Sequence, residues 1–229
     1  MTGKVLIIER DGYTVGYSPR LRQCVWVAYR MIPEDLLNHQ KRSNAFFQDP
    51  LCPHALRPSD YTGSGYDRGH MAPAADMGFS MKSMRESFLM GNIVPQSPKL
   101  NRGPWKRLET MTRKSLISES NNLHSRYVYI ISGPIFSSKD IKAWETKCQH
   151  LPPGAKVPLL KPRAFFKLVK KNLTIKSTII DHTTLCEKKS SLKELKRLTG
   201  LDLLPSLPRF INIPSFQNSP SNNTQDNEK

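Results

Sequence analysis

Apolar residues recur along this chain first in short, strand-sized runs and only later at helical spacing. KVLIIE (4–9), GYTVGYS (12–18) and QCVWVAYRM (23–31) read as three strands, separated by the turn signals Asp11-Gly12 and Ser18-Pro19. Residues 38–62 contain Asp49-Pro50, Cys52-Pro53 and Arg57-Pro58 and predict loop. In SMKSMRESFLM (80–90) the period changes: Met81, Met84 and Phe88 fall on one helical face behind a Ser80 cap. NIVPQ (92–96) is a short extended segment. Over 100–120, Trp105, Leu108, Thr112 and Leu116 keep helical spacing, and Pro104 fits a first turn. RYVYIISGPIF, RAFFKLVKK and TIKSTII predict three further strands, and SSLKELKRLTG (190–200) an amphipathic helix stopped by Gly200. From Ile211 onward Asn, Ser, Pro and Gln dominate, which predicts a disordered polar tail. The expected organisation is one α+β domain over residues 1–210 and a tail over 211–229.

Charge adds a function class to this outline. Against 19 Asp and Glu stand 35 Lys and Arg, a formal net charge of +16 over 229 residues. The tail carries Asp226, Glu228 and Lys229, a net −1, so residues 1–210 hold +17 and the excess belongs to the folded part. Self-repulsion of that size costs stability, and its usual use is to attract a polyanion, with nucleic acid the first candidate and an anionic membrane surface the second. The apolar stretches argue against the membrane. The longest, such as YVYIIS, are far from the roughly 20 residues that span a bilayer. GKVLIIERDG near the start is too short, and charged too early at Glu9, for a signal peptide. The compartment stays open: cytosolic, or secreted, periplasmic or organellar after removal of a targeting segment. Cys24, Cys52, Cys148 and Cys186 form no C-x-x-C pair, so no zinc knuckle is expected, and they permit two disulfides without implying any.

Cutting a phosphodiester requires a base to deprotonate water, a cation to neutralise the phosphate, and stabilisation of the leaving oxygen. A neutral imidazole suits the first task near pH 7 and an arginine fork the second. A Mg²⁺ ion serves the second and third with few protein ligands, because it keeps several waters. GSGYDRGHMAP (63–73) supplies His70 and Arg68, and GNIVPQSPKLNRGPWKRLE supplies Asn92, Gln96, Asn101 and Glu109. With a helix starting near Asn101, Asn101, Trp105 and Glu109 lie at i, i+4 and i+8 on one side, where an amide oxygen and a carboxylate can serve one ion. Strand with His, second strand, helix with Asn: the order is a compact ββα unit.

DRGHMAPAADM (67–77), FLMGNIVPQ (88–96) and LNRGPWKRLE (100–109) resemble the signature segments of the DNA/RNA non-specific endonucleases, of the ββα-metal or His-Me finger type. The likeness continues in order through GYTVGYSPRLRQCVWVAYRM, KRSNAFFQDP, ISGPIF, VPLLKPRAFFKLV and LKELKRLTGLDLLPSLP, covering nearly all of 4–208. It implies a central antiparallel sheet with flanking helices and an embedded ββα-metal unit. It implies Mg²⁺-dependent hydrolysis of DNA and RNA to 5′-phosphate ends, with Mn²⁺ able to substitute. Carried over by position, it makes His70 the general base, Asn101 the direct metal ligand, and Glu109 a ligand through water. Arg68 contacts the phosphate, Arg42 matches a further phosphate-contacting arginine, Asn92 supports the geometry, and Asp67 is an orienting partner. Relatives are often homodimers, so a homodimer is a possible state. Two positions depart from the family pattern, Met90-Gly91 where Leu-Ser is usual and Leu203-Leu204-Pro205 where Phe-Phe-Pro is common. Both bear on packing.

Two other classes compete. One is a nucleic-acid-binding protein on the same fold without catalysis, against which the complete His, Arg, Asn and Glu set speaks. The other is a phosphodiesterase for small nucleotides, which needs far less positive charge. For Glu109 alone, an i,i+4 pair with Arg113 on an exposed helix face is the plain alternative. Trp105 reads as core, and His54, His124, His150 and His182 as structural or solvated. The Lys-rich stretches 167–176 and 188–197 read as solvated faces, some of them lining a substrate groove.

Overall fold

A computed structural model describes residues 3–37, 40–42, 44–118 and 127–203. The polar tail lies outside these residues. Seven strands form one antiparallel sheet: β1 (Leu6–Glu9), β2 (Thr14–Ser18), β3 (Gln23–Met31), β6 (Val128–Ile135), β7 (Ala164–Lys171), β8 (Thr174–Asp181) and β9 (Glu187–Lys189), neighbours in that order. The strand from Gln23 to Met31 has the length its apolar run predicts. β4 (Asp67–His70) and β5 (Ile93–Gln96) pair only with each other, as a separate ribbon. That ribbon sits in the long connection between the adjacent strands β3 and β6.

Both faces of the sheet are covered, which is why its central strands read as unbroken apolar runs and not as alternation. One face carries Val15, Tyr17, Val27, Tyr29, Ile130, Phe165 and Ile180 against Met71, Val94, Leu100, Trp105 and Leu116. The other carries Val25, Trp26, Ala28, Ile131, Phe166 and Ile179 against Ile141, Trp144 and Leu195. Successive residues such as Phe165 and Phe166, or Ile179 and Ile180, thus enter opposite layers, as a pleated strand demands. Buried apolar area of this kind stabilises by roughly 25 cal/mol per Å².

Five helical segments flank the sheet: α1 (Met81–Ser87), α2 (the single turn Pro98–Leu100), α3 (Lys106–Ser118), α4 (Ser138–Gln149) and α5 (Leu192–Thr199). Ser80 caps α1 as expected, its Oγ accepting from Ser83 N–H at 2.9 Å. Met81, however, is 77% exposed while Met84 and Phe88 are buried. The helix ends at Ser87, and Phe88 reaches the core from the cap, so the three do not share a buried face. Gly200 ends α5 in the left-handed region at φ 73°, a conformation that glycine adopts without a Cβ clash.

The helix expected from Asn101 starts later. Asn101–Trp105 is a wide π-type turn in which Gly103 takes φ −107°, ψ −111°, and regular α3 begins at Lys106. Pro104 has no N–H to give and its ring excludes the preceding helical backbone, so the break falls there. Trp105 is buried against Phe165, and with Thr112 and Leu116 it faces the sheet as its spacing predicts.

Candidate active site

In the ribbon, Asp67 stands opposite Gln96, Arg68 opposite Pro95, Gly69 opposite Val94 and His70 opposite Ile93. Alternation sends Arg68 and His70 to one face and Asp67 and Gly69 to the other. Gly69 has a steric reason: a Cβ there would overlap the side chain of buried Gln96.

Arg68 and His70 converge on one aromatic ring. The Phe46 centroid lies 5.5 Å from the His70 ring and 5.2 Å from the Arg68 guanidinium carbon. Phe88 meets His70 edge-on at 4.8 Å, and the exposed Arg42 stands 5.7 Å from the Phe88 centroid. Arg68 donates from Nε (3.3 Å) and one terminal nitrogen (2.8 Å) to the Pro58 carbonyl, which fixes the guanidinium. His70 Nε2 is buried with no hydrogen-bond partner. Burial in this aromatic pocket, and secondarily the Arg42 charge, push the His70 pKa from 6.5 down to about 3. The imidazole is therefore neutral at pH 7, but its proton affinity in the free protein is low, and the negative charge of a bound phosphate beside it would have to raise that affinity before it could act as a base.

A second group forms on Asp67. Asn101 Nδ2 donates to Asp67 Oδ2 at 2.9 Å, and Arg102 grips both oxygens at 2.9 and 2.8 Å. Burial raises the Asp67 pKa, but the hydrogen bonds from Arg102 and Asn101 outweigh it and hold the group below the ordinary range. Asp67 is thus an acceptor-only carboxylate. The Asn101 amide must present its NH₂ to it, which leaves Oδ1 for a ligand.

Glu109 lies in a third, partly buried ionic group. Burial pushes its pKa up to about 7; Lys167 opposes this, Asp76 adds to it and Arg113 opposes it. The exposed Arg113 pair weighed for Glu109 is replaced by another: Arg113 binds Asp76 at 2.6 Å, and Asp76 also accepts from Tyr29 Oη at 2.7 Å. Lys167 is not a groove-lining lysine. It is 2% exposed, donates to Ser132 Oγ at 2.8 Å and stands 4.9 Å from the Trp105 ring centroid. Among the described residues no hydrogen bond joins Glu109 to Asn101.

Asn92 is fully buried and spends its whole amide on backbone. Oδ1 accepts from Ala72 N–H at 2.8 Å, while Nδ2 donates to Ala72 O (2.9 Å) and Ser87 O (2.8 Å). It ties the exit of β4 to the end of α1 and positions the strand bearing His70.

His182, expected from the sequence to be structural or solvated, is structural and supports the turn that leads to Asn101. His182, 8% exposed, accepts Ser97 N–H on Nε2 at 2.7 Å, and its Nδ1 lies 2.7 Å from Pro162 O. The acceptor at Nε2 places the proton on Nδ1. Ser97 in turn opens the turn to Asn101: its carbonyl accepts Asn101 N–H at 2.9 Å and its Oγ accepts Leu100 N–H at 3.4 Å. His182 lies 85 residues from Ser97, and no local pattern announces the contact.

Residues 2–210 match the family described as DNA/RNA non-specific endonuclease. The chain belongs to that family. Human mitochondrial endonuclease G is 35% identical over 139 residues, 59% of this chain and 45% of the human protein. The mitochondrial nuclease of Saccharomyces cerevisiae is 29% identical over 224 residues, 87% of this chain and 66% of the yeast protein. This chain therefore spans about half to two thirds of the length of these curated relatives. A crystal structure described as the EndoG/EndoGI complex, with the mechanism of EndoG inhibition, superposes with a TM-score of 0.67 at 22% identity, covering 88% of this chain and 86% of that one. The α+β architecture and the large antiparallel sheet are those of this fold. The Gly91 departure from the family pattern has a packing cause. A Cβ there would overlap Asp49, the buried partner of Arg10, and Cys52. All four cysteines are free.

Proposed function

We propose that this chain is a divalent-metal-dependent nuclease that hydrolyses phosphodiester bonds of both DNA and RNA. The observation that carries the reading is the Asp67–Asn101 hydrogen bond, which orients an amide oxygen outward on the turn that follows a His-bearing ribbon. Among the described residues no group of three His, Cys, Asp or Glu could hold an ion. An oxygen-seeking ion that keeps most of its waters, such as Mg²⁺ or in its place Mn²⁺, fits a donor set of Asn101 Oδ1 directly and Glu109 through water. When bound, such an ion neutralises the phosphate and stabilises the leaving oxygen.

His70 takes the proton of the attacking water. Its Nε2 is sealed among aromatic rings, so Nδ1 is the nitrogen that serves. The water oxygen bonds to phosphorus, the P–O3′ bond breaks with its electron pair on O3′, and O3′ gains a proton from solvent, which leaves a 5′-phosphate end. Arg68 and Arg42 bring positive charge beside the base, where the phosphate would lie. Asp67 orients Asn101, and Asn92 orients the strand of His70. The exposed face of α3, with Lys106 and Lys114, extends the positive field away from the site and favours backbone contacts over base reading.

A plasmid-nicking assay with and without EDTA tests this. Nicking of plasmid and degradation of RNA, both abolished by EDTA and by His70→Ala, are the expected results. Tight DNA binding without nicking in Mg²⁺ or Mn²⁺ would overturn the catalytic reading in favour of a binding module.

A further inference from the structure

Beside the ribbon lies an open cleft of about 630 Å³ that none of the proposed catalytic steps uses. It begins where the catalytic unit ends. Tyr66, on its wall, immediately precedes Asp67, and Lys99 lies two residues before Asn101. From there it runs to Lys147 on α4 and to Lys161 and Arg163 in the segment entering β7.

Four exposed cations from three separate segments thus surround one cavity, with Asp140 the single carboxylate on its lining. Among the described residues none of the four forms an ion pair. Other exposed lysines, such as Lys106 and Lys114 on α3, are likewise without an ion pair among the described residues, so what sets these four apart is their gathering round one concavity. Asp181 lies within electrostatic reach of Arg163, yet with Asp140 it balances only part of the four positive charges, and an arriving polyanion relieves the repulsion that remains. Lys161 Nζ stands 4.7 Å from the Tyr66 ring centroid, a contact that leaves its other donors for an anion.

Size and chemistry narrow the polyanion. The volume is that of a pocket for a drug-sized molecule, roughly 300–1,000 Å³, and so has room for a nucleotide or two of one strand and none for a duplex. Trp144 belongs to the wall, its Nε1 spent on Pro158 O at 2.6 Å and its ring buried, so it offers no stacking face. Tyr66 is the other large ring on the wall and Lys161 stands over it, so cations outnumber free aromatic faces here and phosphate contacts dominate.

We propose that this cleft is a subsite for the phosphate backbone of a single nucleic-acid strand next to the scissile bond. The proposal rests on the nuclease reading for its orientation but can fail separately. The test compares the full chain with the double variant Lys147→Gln/Arg163→Gln, both carrying His70→Ala for binding measurements. Affinity for a short oligothymidylate should fall about tenfold at low salt, and the slope of log K against log salt should shrink by about 1.4, twice the single-strand value per phosphate. A blunt duplex should lose less. In the chain with His70 intact, cleavage of bis(p-nitrophenyl) phosphate, too small to reach the cleft, should match wild type, as should the melting temperature. Unchanged oligothymidylate affinity and slope would remove the subsite while leaving the nuclease. An equal loss on duplex would overturn the single-strand assignment. Loss of strand binding in a protein that cleaves neither plasmid nor the small diester would keep the subsite and remove the nuclease reading.

Discussion

Ser97 N–H donates to His182 Nε2 at 2.7 Å, so a histidine on the far side of the sequence caps the turn that leads to Asn101. Removing a direct hydrogen-bond partner of a metal ligand, as Asp67 is to Asn101, affects metal use by roughly 10–100-fold, and His182 acts one step further out, through the backbone of the turn. His182→Ala should therefore raise the Mg²⁺ concentration for half-maximal cleavage by no more than about tenfold, the lower end of that range. His182→Asn keeps a side-chain acceptor and should recover part of the loss. A Mg²⁺ titration of all three proteins checks this; equal titrations would confine His182 to packing.

His70 and His182 both titrate below the ordinary histidine value, His70 at about 3 and His182 in the same direction, each chiefly through burial. For His182 the Pro162 carbonyl and Asp181 oppose the shift and Lys161 adds to it, while Tyr66 and Phe165 pack edge-on. A histidine whose folded pKa is depressed binds fewer protons folded than unfolded. Its stabilisation is complete above about 6.5 and is lost as pH falls towards the folded value. Thermal melts should therefore show stability falling below about pH 6.5, with a smaller fall in His182→Asn. An identical acid response in that variant would contradict the assignment.

His70→Ala should lower kcat by roughly 10²–10⁴-fold, the worth of a positioned base. DNA affinity should be little changed, measured by fluorescence anisotropy. Because free His70 titrates near 3, its protonation should not produce an acid limb in kcat/KM near 6.5. Near-normal cleavage by His70→Ala would move the base elsewhere.

Asp67 makes Asn101 show its oxygen. Asn101→Ala should weaken metal binding more than DNA binding, while Asn101→Asp retains an oxygen ligand and partial activity. Asp67→Asn should behave as a milder Asn101→Ala, because a neutral amide no longer dictates which end Asn101 presents. Isothermal titration with Mn²⁺ reads the order directly: Asn101→Ala weakest, Asp67→Asn intermediate, wild type strongest.

Asn92→Ala strands the Ala72 N–H and two carbonyls in a buried site. An unsatisfied buried group costs about 1–3 kcal/mol, so the variant should lose roughly 2–4 kcal/mol in denaturant unfolding. Activity should fall with it, since the strand bearing His70 loses its anchor. A stability change below about 0.5 kcal/mol, the usual size for an unremarkable surface site, would show that the amide is dispensable.

Strands with a long apolar run and helices with a cap were legible. β3, β7, α1 and α5 follow from Gln23–Met31, Ala164–Lys171, Ser80 and Gly200 because apolar period and turn chemistry are local quantities. β9, a fully exposed Glu-Lys-Lys edge, carries no apolar signal, and α4 shows only Ile141 and Trp144 to the core, too sparse a stripe to stand out. Both form because the sheet offers a partner, an edge in one case and an apolar face in the other.

The site divides the same way. By itself the sequence determined which residue types are present and in what order: Asp67, Arg68 and His70 on a strand, Asn92 before a second strand, Asn101 and Glu109 after it, within an excess of positive charge. Only the tertiary structure decided their states. It sealed His70 among Phe46 and Phe88, turned the Asn101 amide by hydrogen-bonding it to Asp67, drew Glu109 into a group with Lys167 and Asp76, and brought His182 to Ser97. Order and composition are properties of neighbours along the chain. Burial, proton affinity and amide orientation depend on groups that only folding brings within a few ångströms.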